Sequence, residues 1–123
     1  GGWKAYRMQY YKDVLDAYQS GSAERTHEVF TQSVVKLGDV ALVCFPYEMF
    51  SEISMRVSRE SKVPYTLSVC YTNGADNYFA TEDALCRGGY EVDAHQCIGA
   101  QHRVPNADWH LFTQTVDNIE QLA

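Results

Sequence analysis

The sequence has few basic residues, no long apolar run and no paired cysteine motif. Its 123 residues include 10 Lys and Arg against 16 Asp and Glu, and the formal net charge is -6. Nucleic-acid binding needs clustered Lys and Arg, so this scattered and outnumbered set argues against a nucleic-acid partner. No run approaches the roughly 20 apolar residues that a membrane span needs. The sequence therefore predicts no transmembrane segment.

The cysteines and histidines show none of the spacings by which one helix or strand holds a metal. Cys44 and Cys70 lie in apolar, strand-like runs, and no C-x-x-C pair exists, so free buried thiols are predicted, with disulfides among the four cysteines as the alternative. The histidines are isolated from one another and are interpreted as surface or capping residues. They are His27, His95, His102 and His110. His95 and Cys97 are two positions apart, which leaves weak metal binding there as an alternative.

Composition is that of an ordinary globular protein. Hydrophobic residues make up 46% of the chain and charged residues 21%. A chain of this length buries roughly two-thirds of its unfolded surface, which is enough for one core. Residues 1–123 are therefore predicted to form a single domain.

Hydrophobic periodicity predicts the elements of the first half of the chain. Apolar groups near i, i+3, i+4 and i+7 indicate a helix over 3–19, which the Ser20-Gly21-Ser22 segment ends. Residues 26–37 alternate, and residues 40–46 form a continuous apolar run after a Gly38-Asp39 turn. These two segments are predicted to pair as a β-hairpin.

Sequence patterns in the second half of the chain predict a helix, a strand and then two further helices. An amphipathic pattern indicates a helix over 49–61, and Pro64 precedes a predicted strand over 65–71. A capping pattern predicts a short helix over 81–85, ended by two glycines. Residues 92–108 are predicted to be irregular, and 109–123 to form a final amphipathic helix.

This order of elements is typical of an α/β fold. A hairpin is followed by a strand, a helix and another strand with a short crossover. We therefore expect a small mixed or parallel sheet with helices packed on it.

Several short motifs stand at the ends of these buried elements. In chain order they are Phe45-Pro46-Tyr47-Glu48, Asn73-Gly74, Tyr78 with Thr81-Glu82, and Gly89-Tyr90-Glu91. In this order and with these apolar flanks, the stretch from Asp39 to Glu91 resembles the late part of the catalytic domain of neutral/alkaline, non-lysosomal ceramidases. Members of that family are zinc-dependent amidases that split ceramide into sphingosine and a fatty acid.

The resemblance implies a role for each matching residue. Glu48 would be the carboxylate ligand of zinc, and Tyr78 the tyrosine that coordinates or leans on the metal. Tyr90 would hydrogen-bond the oxyanion that forms as water attacks the amide. The family's two histidine ligands, and an arginine and a serine near the substrate, belong to earlier parts of that domain. The resemblance also implies an exported or membrane-associated protein.

Two hypotheses follow. In the first, the chain is the C-terminal portion of a ceramidase-like zinc amidohydrolase that acts on a lipid-like N-acyl amide. Its partner would be the remainder of the catalytic domain, and the isolated piece would be inactive and bind zinc weakly. In the second, the chain is a stand-alone binding or structural domain. A homo-oligomer is left open in both.

The residues themselves also allow a simpler interpretation. Glu48 would then lie in the first turn of the 49–61 helix, where a carboxylate complements the helix dipole. Tyr78 and Tyr90 would be packing residues with hydroxyls that reach solvent. If instead the 40–46 and 65–71 strands are parallel, Glu48, Tyr78 and Tyr90 are expected to converge at one edge of the sheet.

Overall fold

The structure, a computed structural model, describes residues 2–22, 29–75, 77–94 and 104–122. Four helices and five strands are found there, together with a π-helical turn at Tyr90–Ala94. The helices are α1 (Gly2–Gln19), α2 (Ser51–Glu60), α3 (Glu82–Arg87) and α4 (Ala107–Glu120). The strands are β1 (Val34–Leu37), β2 (Val40–Cys44), β3 (Glu48–Met49), β4 (Tyr65–Val69) and β5 (Tyr78–Phe79).

The main sheet has three strands in the order β1-β2-β4. The pair β1-β2 is antiparallel and turns through Gly38, whose φ of 59° favours glycine. The pair β2-β4 is parallel, and α2 lies in the connection between the two strands. Both the hairpin and the strand-helix-strand crossover were predicted, and the α/β fold class is confirmed.

The core lies between one face of this sheet and two helices. Along β2, Ala41 and Val43 are fully buried while their neighbours are half-buried, as expected for a strand with one covered face. These two side chains join one hydrophobic cluster with residues from both helices. The contributing residues are Ile53 and Val57 of α2 and Leu111 and Ile119 of α4. Burial of these apolar stripes therefore holds α2 and α4 on the sheet.

A buried ion pair joins the two helices on the sheet. Arg56 of α2 contacts a carboxylate oxygen of Asp108 in α4 at 2.8 Å. The Asp108 side chain is 1% exposed, and the Arg56 guanidinium lies 4.3 Å from the centre of the Trp109 ring. The charge of Asp108 is thus neutralised inside the helix interface.

Several predicted boundaries were wrong in the first half of the chain. The first strand begins at Val34 rather than at residue 26, and residues 29–33 are not in a strand. The second strand ends at Cys44 rather than 46, and β4 ends at Val69 rather than 71. The backbone still runs alongside its neighbour, because the amide of Phe45 donates to the carbonyl of Val69 at 2.8 Å. The proline at position 46 has no amide hydrogen with which to continue the ladder.

The second half of the chain agrees in part with the prediction. Helix α3 begins after Thr81, whose side chain accepts a hydrogen bond from the amide of Ala84, and its C-cap is Gly88. The stretch predicted as irregular starts with the π-helical turn Tyr90–Ala94, so that prediction was wrong at its beginning. Helix α4 begins at Ala107, two residues earlier than predicted.

Helix α1 forms where the sequence predicts it, but it is peripheral to the core. Its large apolar side chains are mostly exposed, including Tyr6, Met8, Leu15 and Tyr18. Within the described ranges, no helix is both long enough and apolar enough to cross a lipid bilayer.

Candidate functional site

A second, two-stranded sheet places Glu48 next to Tyr78. Strand β3 pairs with β5 in parallel, and the residues opposite each other are Glu48 with Tyr78 and Met49 with Phe79. Met49 and Phe79 are buried in the core, so Glu48 and Tyr78 share the opposite, half-buried face. Glu48 therefore lies in a strand three residues before α2, and its placement in the first turn of a helix was wrong.

Buried aromatic rings fix the position of this small sheet. Tyr47, which immediately precedes β3, is 2% exposed. Its ring packs against Phe79 of β5 at 5.2 Å and against Phe30 at 5.4 Å between centroids. The amide of Phe50 donates to the carbonyl of Phe79 at 3.0 Å, which extends the pairing by one hydrogen bond. The short strand that carries Glu48 is thus held in place by the buried side chains beside it.

The loop after β4 brings a third side chain, Tyr71, to the same place. The amide of Thr72 donates to the carbonyl of Phe45 at 2.9 Å, which docks this loop beside the segment between β2 and β3. Tyr71 has a φ of 53°, a left-handed conformation that is uncommon for a bulky residue. Its hydroxyl donates a hydrogen bond to Oε2 of Glu48.

The carboxylate of Glu48 raises the pKa of both neighbouring phenols, as the main cause for Tyr71 and as a secondary cause for Tyr78. The hydrogen bond to Glu48 is the largest cause that raises the pKa of Tyr71 to about 12, with partial desolvation and the negative charge of Glu48 adding to it. The pKa of Tyr78 is also raised, first by desolvation and then by the charge of Glu48 and a hydrogen bond to it. A neutral phenol beside a carboxylate is favoured in both cases. Tyr71 and Tyr78 are therefore hydrogen-bond donors at neutral pH.

Tyr90 and Glu91 influence the ionisation of Tyr78. Both contribute electrostatically to the raised pKa of Tyr78, after the larger contributions of desolvation and Glu48. Tyr90 is the first residue of the π-helical turn and follows Gly88 and Gly89, whose φ values are 72° and 127°. The side chain of Tyr90 is 61% exposed and so accessible to another molecule. The structure thus places Glu48 beside Tyr78, and Tyr90 acts electrostatically on Tyr78.

The donor set of this region is made of oxygen atoms. Zinc sites usually take three or four ligands from Cys, His, Asp and Glu. Among the described residues, no group of three or more such side chains could hold a metal ion. Glu48 and Tyr78 fit as the oxygen ligands of a zinc site that also has nitrogen ligands. Within the described ranges, no histidine joins them to complete such a site. One oxygen of Glu48 already accepts the Tyr71 hydrogen bond.

The histidines and cysteines are described only in part by the structure. His27, His95, His102 and Cys97 fall outside the described residues, and His110 lies in the first turns of α4. The described cysteines are free thiols: Cys44, Cys70 and Cys86. Cys44 and Cys70 are only half-buried, so the prediction that they are buried was wrong in degree.

Sequence reasoning missed Tyr71 and Glu91 as members of this region. Tyr71 follows β4, and Glu48 follows β2. Because the carboxyl ends of parallel strands lie at the same edge of a sheet, the predicted topology could have indicated that Tyr71 lies near Glu48. Glu91 is adjacent to Tyr90 in the chain.

Comparison with protein-family models, with curated proteins and with solved structures finds no match to this chain.

Proposed function

We propose that the chain is the C-terminal portion of a ceramidase-like, zinc-dependent amidohydrolase that acts on a lipid-like N-acyl amide. The observation that supports this most strongly is the pairing of Glu48 with Tyr78 across parallel strands, with Tyr90 nearby. These are the three positions to which the family resemblance assigns the carboxylate ligand, the metal-associated tyrosine and the oxyanion tyrosine. As an isolated piece the chain is inactive, because the histidine ligands belong to the remainder of the catalytic domain.

The geometry suits different roles for the two phenols. Tyr78 is half-buried beside Glu48, where a neutral hydroxyl orients the carboxylate or contributes an oxygen to the metal. Tyr90 is exposed, so its hydroxyl can reach a substrate carbonyl and donate to the negative charge that develops on its oxygen. Zinc, when bound by Glu48, Tyr78 and histidines of the remaining domain, provides the Lewis acid for amide hydrolysis.

Zinc content and amide hydrolysis of the longer parent protein test this proposal. Glu48→Gln should lose both zinc and hydrolysis of an N-acyl sphingosine, while Tyr90→Phe should keep zinc and lose hydrolysis. Tyr65→Phe is the matched control, since Tyr65 is an exposed tyrosine of β4 outside this region. Retention of zinc and activity by Glu48→Gln would contradict the proposal.

The isolated chain provides a second test. One carboxylate and neutral phenols are too few ligands for tight binding, so calorimetric titration with zinc should show no sub-micromolar site. A stoichiometric tight site that disappears in Glu48→Gln would mean that this chain completes the site with its own histidines. The assignment of the chain as one part of a larger site would then be wrong.

One contact favours the alternative, a stand-alone binding or structural domain without catalysis. The Tyr71 hydroxyl donates to Oε2 of Glu48, so one of the two carboxylate oxygens is already engaged within this chain. In a non-catalytic domain, the parent protein should contain no zinc, and it should still contain none when Tyr71→Phe frees Oε2 of Glu48. If the contact is only the metal-free arrangement, wild type and Tyr71→Phe should bind zinc alike in the parent protein.

A further inference from the structure

One face of the three-stranded sheet is apolar, and helices α2 and α4 pack on the sheet from its other side. The register places side chains in rows across the strands, because partners in a ladder point to the same face. The first row is Leu37, Val40 and Tyr65, the second is Val35, Leu42 and Leu67, and the third is Cys44 and Val69. We call these residues the open face.

The open face differs sharply from the opposite side of the same strands. On that other side, Ala41 and Val43 are fully buried and Thr66 is 8% exposed beneath α2 and α4. On the open face, Leu37 is 65% exposed and Tyr65 is 64% exposed. Leu67, Val35 and Val69 are exposed as well, and none of the residues of the open face is charged.

The apolar area of the open face is large for a monomer. Side chains of this size and exposure present on the order of 500 Å² of apolar surface, near the upper end of the largest patch on a typical monomer. Antiparallel sheets that face water alternate apolar and polar residues, so a polar outer face is normal. The open face therefore has the composition of a surface that another molecule covers.

We propose that a second copy of this chain covers the open face and forms a twofold-symmetric dimer. Two such faces would bury about 1,000 Å², which reaches the lower bound for a specific protein interface. A twofold interface must complement itself, and an uncharged apolar patch meets that condition without like-charge contacts. Two sheets stacked about 10 Å apart interdigitate side chains in the same manner as a β-sandwich. This inference goes beyond the proposed function and does not rest on it.

We place the twofold axis between the two sheets and parallel to the central strand β2. Strand β1 of one copy then lies over β4 of the other. Leu37 then meets the partner's Tyr65, and Val35 meets the partner's Leu67, so large side chains oppose smaller ones. Cys44 lies on the central strand near the axis and meets the partner's Cys44.

Sedimentation velocity over a range of concentrations tests the dimer. Leu67→Lys places a charge in the open face and should weaken the dimer more than about tenfold in Kd. Met55→Lys makes the same change at a side chain of α2 that is 58% exposed and outside this face, and should leave the dimer unchanged. Val35→Lys on β1 is a second variant, and circular dichroism checks that each variant is folded.

Ionic strength and cross-linking give independent measurements. Each copy carries a net charge of -6, so added salt should strengthen an apolar dimer by screening repulsion. A short thiol-reactive cross-linker should join two copies of a variant in which Cys70, Cys86 and Cys97 are serine, but not when Cys44 is replaced by serine as well. A monomer at all concentrations would overturn the proposal, as would equal effects of Leu67→Lys and Met55→Lys. A dimer that fails to cross-link when Cys44 is the only cysteine would also overturn it.

Discussion

Replacing Glu48 by glutamine should lower the pKa of Tyr71. In the wild type, the hydroxyl of Tyr71 donates to a carboxylate oxygen of Glu48, and this contact is the main cause of a pKa of about 12. Ionising the phenol would remove the donated hydrogen and place two negative charges side by side. Glutamine keeps an acceptor oxygen but removes the charge, so the pKa should fall toward 10.0, the value of an unperturbed tyrosine.

Ultraviolet absorbance of tyrosinate measures this change. The chain has nine tyrosines, so the contribution of Tyr71 is obtained by subtracting the titration of Tyr71→Phe in each background. At pH 11, a group with a pKa of about 12 is roughly one-tenth ionised, whereas a group with a pKa of about 10 is roughly nine-tenths ionised. The difference signal at this pH should therefore rise severalfold in Glu48→Gln.

The control is Glu52→Gln, which removes a carboxylate from the exposed first turn of α2. It should leave the titration of Tyr71 unchanged. If Tyr71 in the wild type titrates near pH 10, or if Glu52→Gln and Glu48→Gln act alike, the contact with Glu48 does not control this phenol.

The same pKa shift predicts how stability depends on pH. The folded-state pKa of Tyr71 lies above its unfolded value, so the folded state holds the proton more tightly. The stabilisation from this group is complete below pH 10 and is lost as the pH rises through about 12. Urea denaturation across this range should show a smaller loss of stability in Tyr71→Phe than in the wild type.

Two further changes test the packing that supports the site. Ile53→Ala should lower the free energy of unfolding by about 2–5 kcal/mol in urea denaturation, because Ile53 is fully buried. Its control is Met55→Ala on the exposed side of α2, which should change the free energy of unfolding by less than about 0.5 kcal/mol. Arg56→Ala should cost about 3 kcal/mol, since it leaves the buried carboxylate of Asp108 without its cation. Lys62→Ala breaks an exposed ion pair and should cost less than about 1 kcal/mol, and equal losses in these two variants would contradict the reasoning.

Local signals in the sequence determined the main architecture. The apolar run before Phe45 can be stable only inside a core, and Gly38 provides the positive φ that closes the hairpin. The stripe that contains Ile53 and Val57 has the helical period, so α2 could be predicted before any contact was known. Because each of these signals acts over a few neighbouring residues, the hairpin and the crossover could be inferred from the chain alone.

The immediate surroundings of Glu48 were decided by tertiary structure. Strands β3 and β5 are two residues long each, which is too short for any period to appear in the sequence. They exist because core packing of Met49 and Phe79 brings two distant segments together. Without that pairing, the sequence equally allows Glu48 to be assigned to the first turn of the helix that follows it.

The position of Tyr71 and the exposure of the open face also depend on tertiary structure. Nothing in the local sequence predicts the left-handed backbone at Tyr71. A bulky residue adopts this conformation only when surrounding contacts compensate for the strain. The apolar residues of β4 predict burial, yet Leu67 is 53% exposed because both helices pack on the other side of the sheet. Which face of a strand is covered depends on where distant helices lie, and the sequence of the strand does not contain that information.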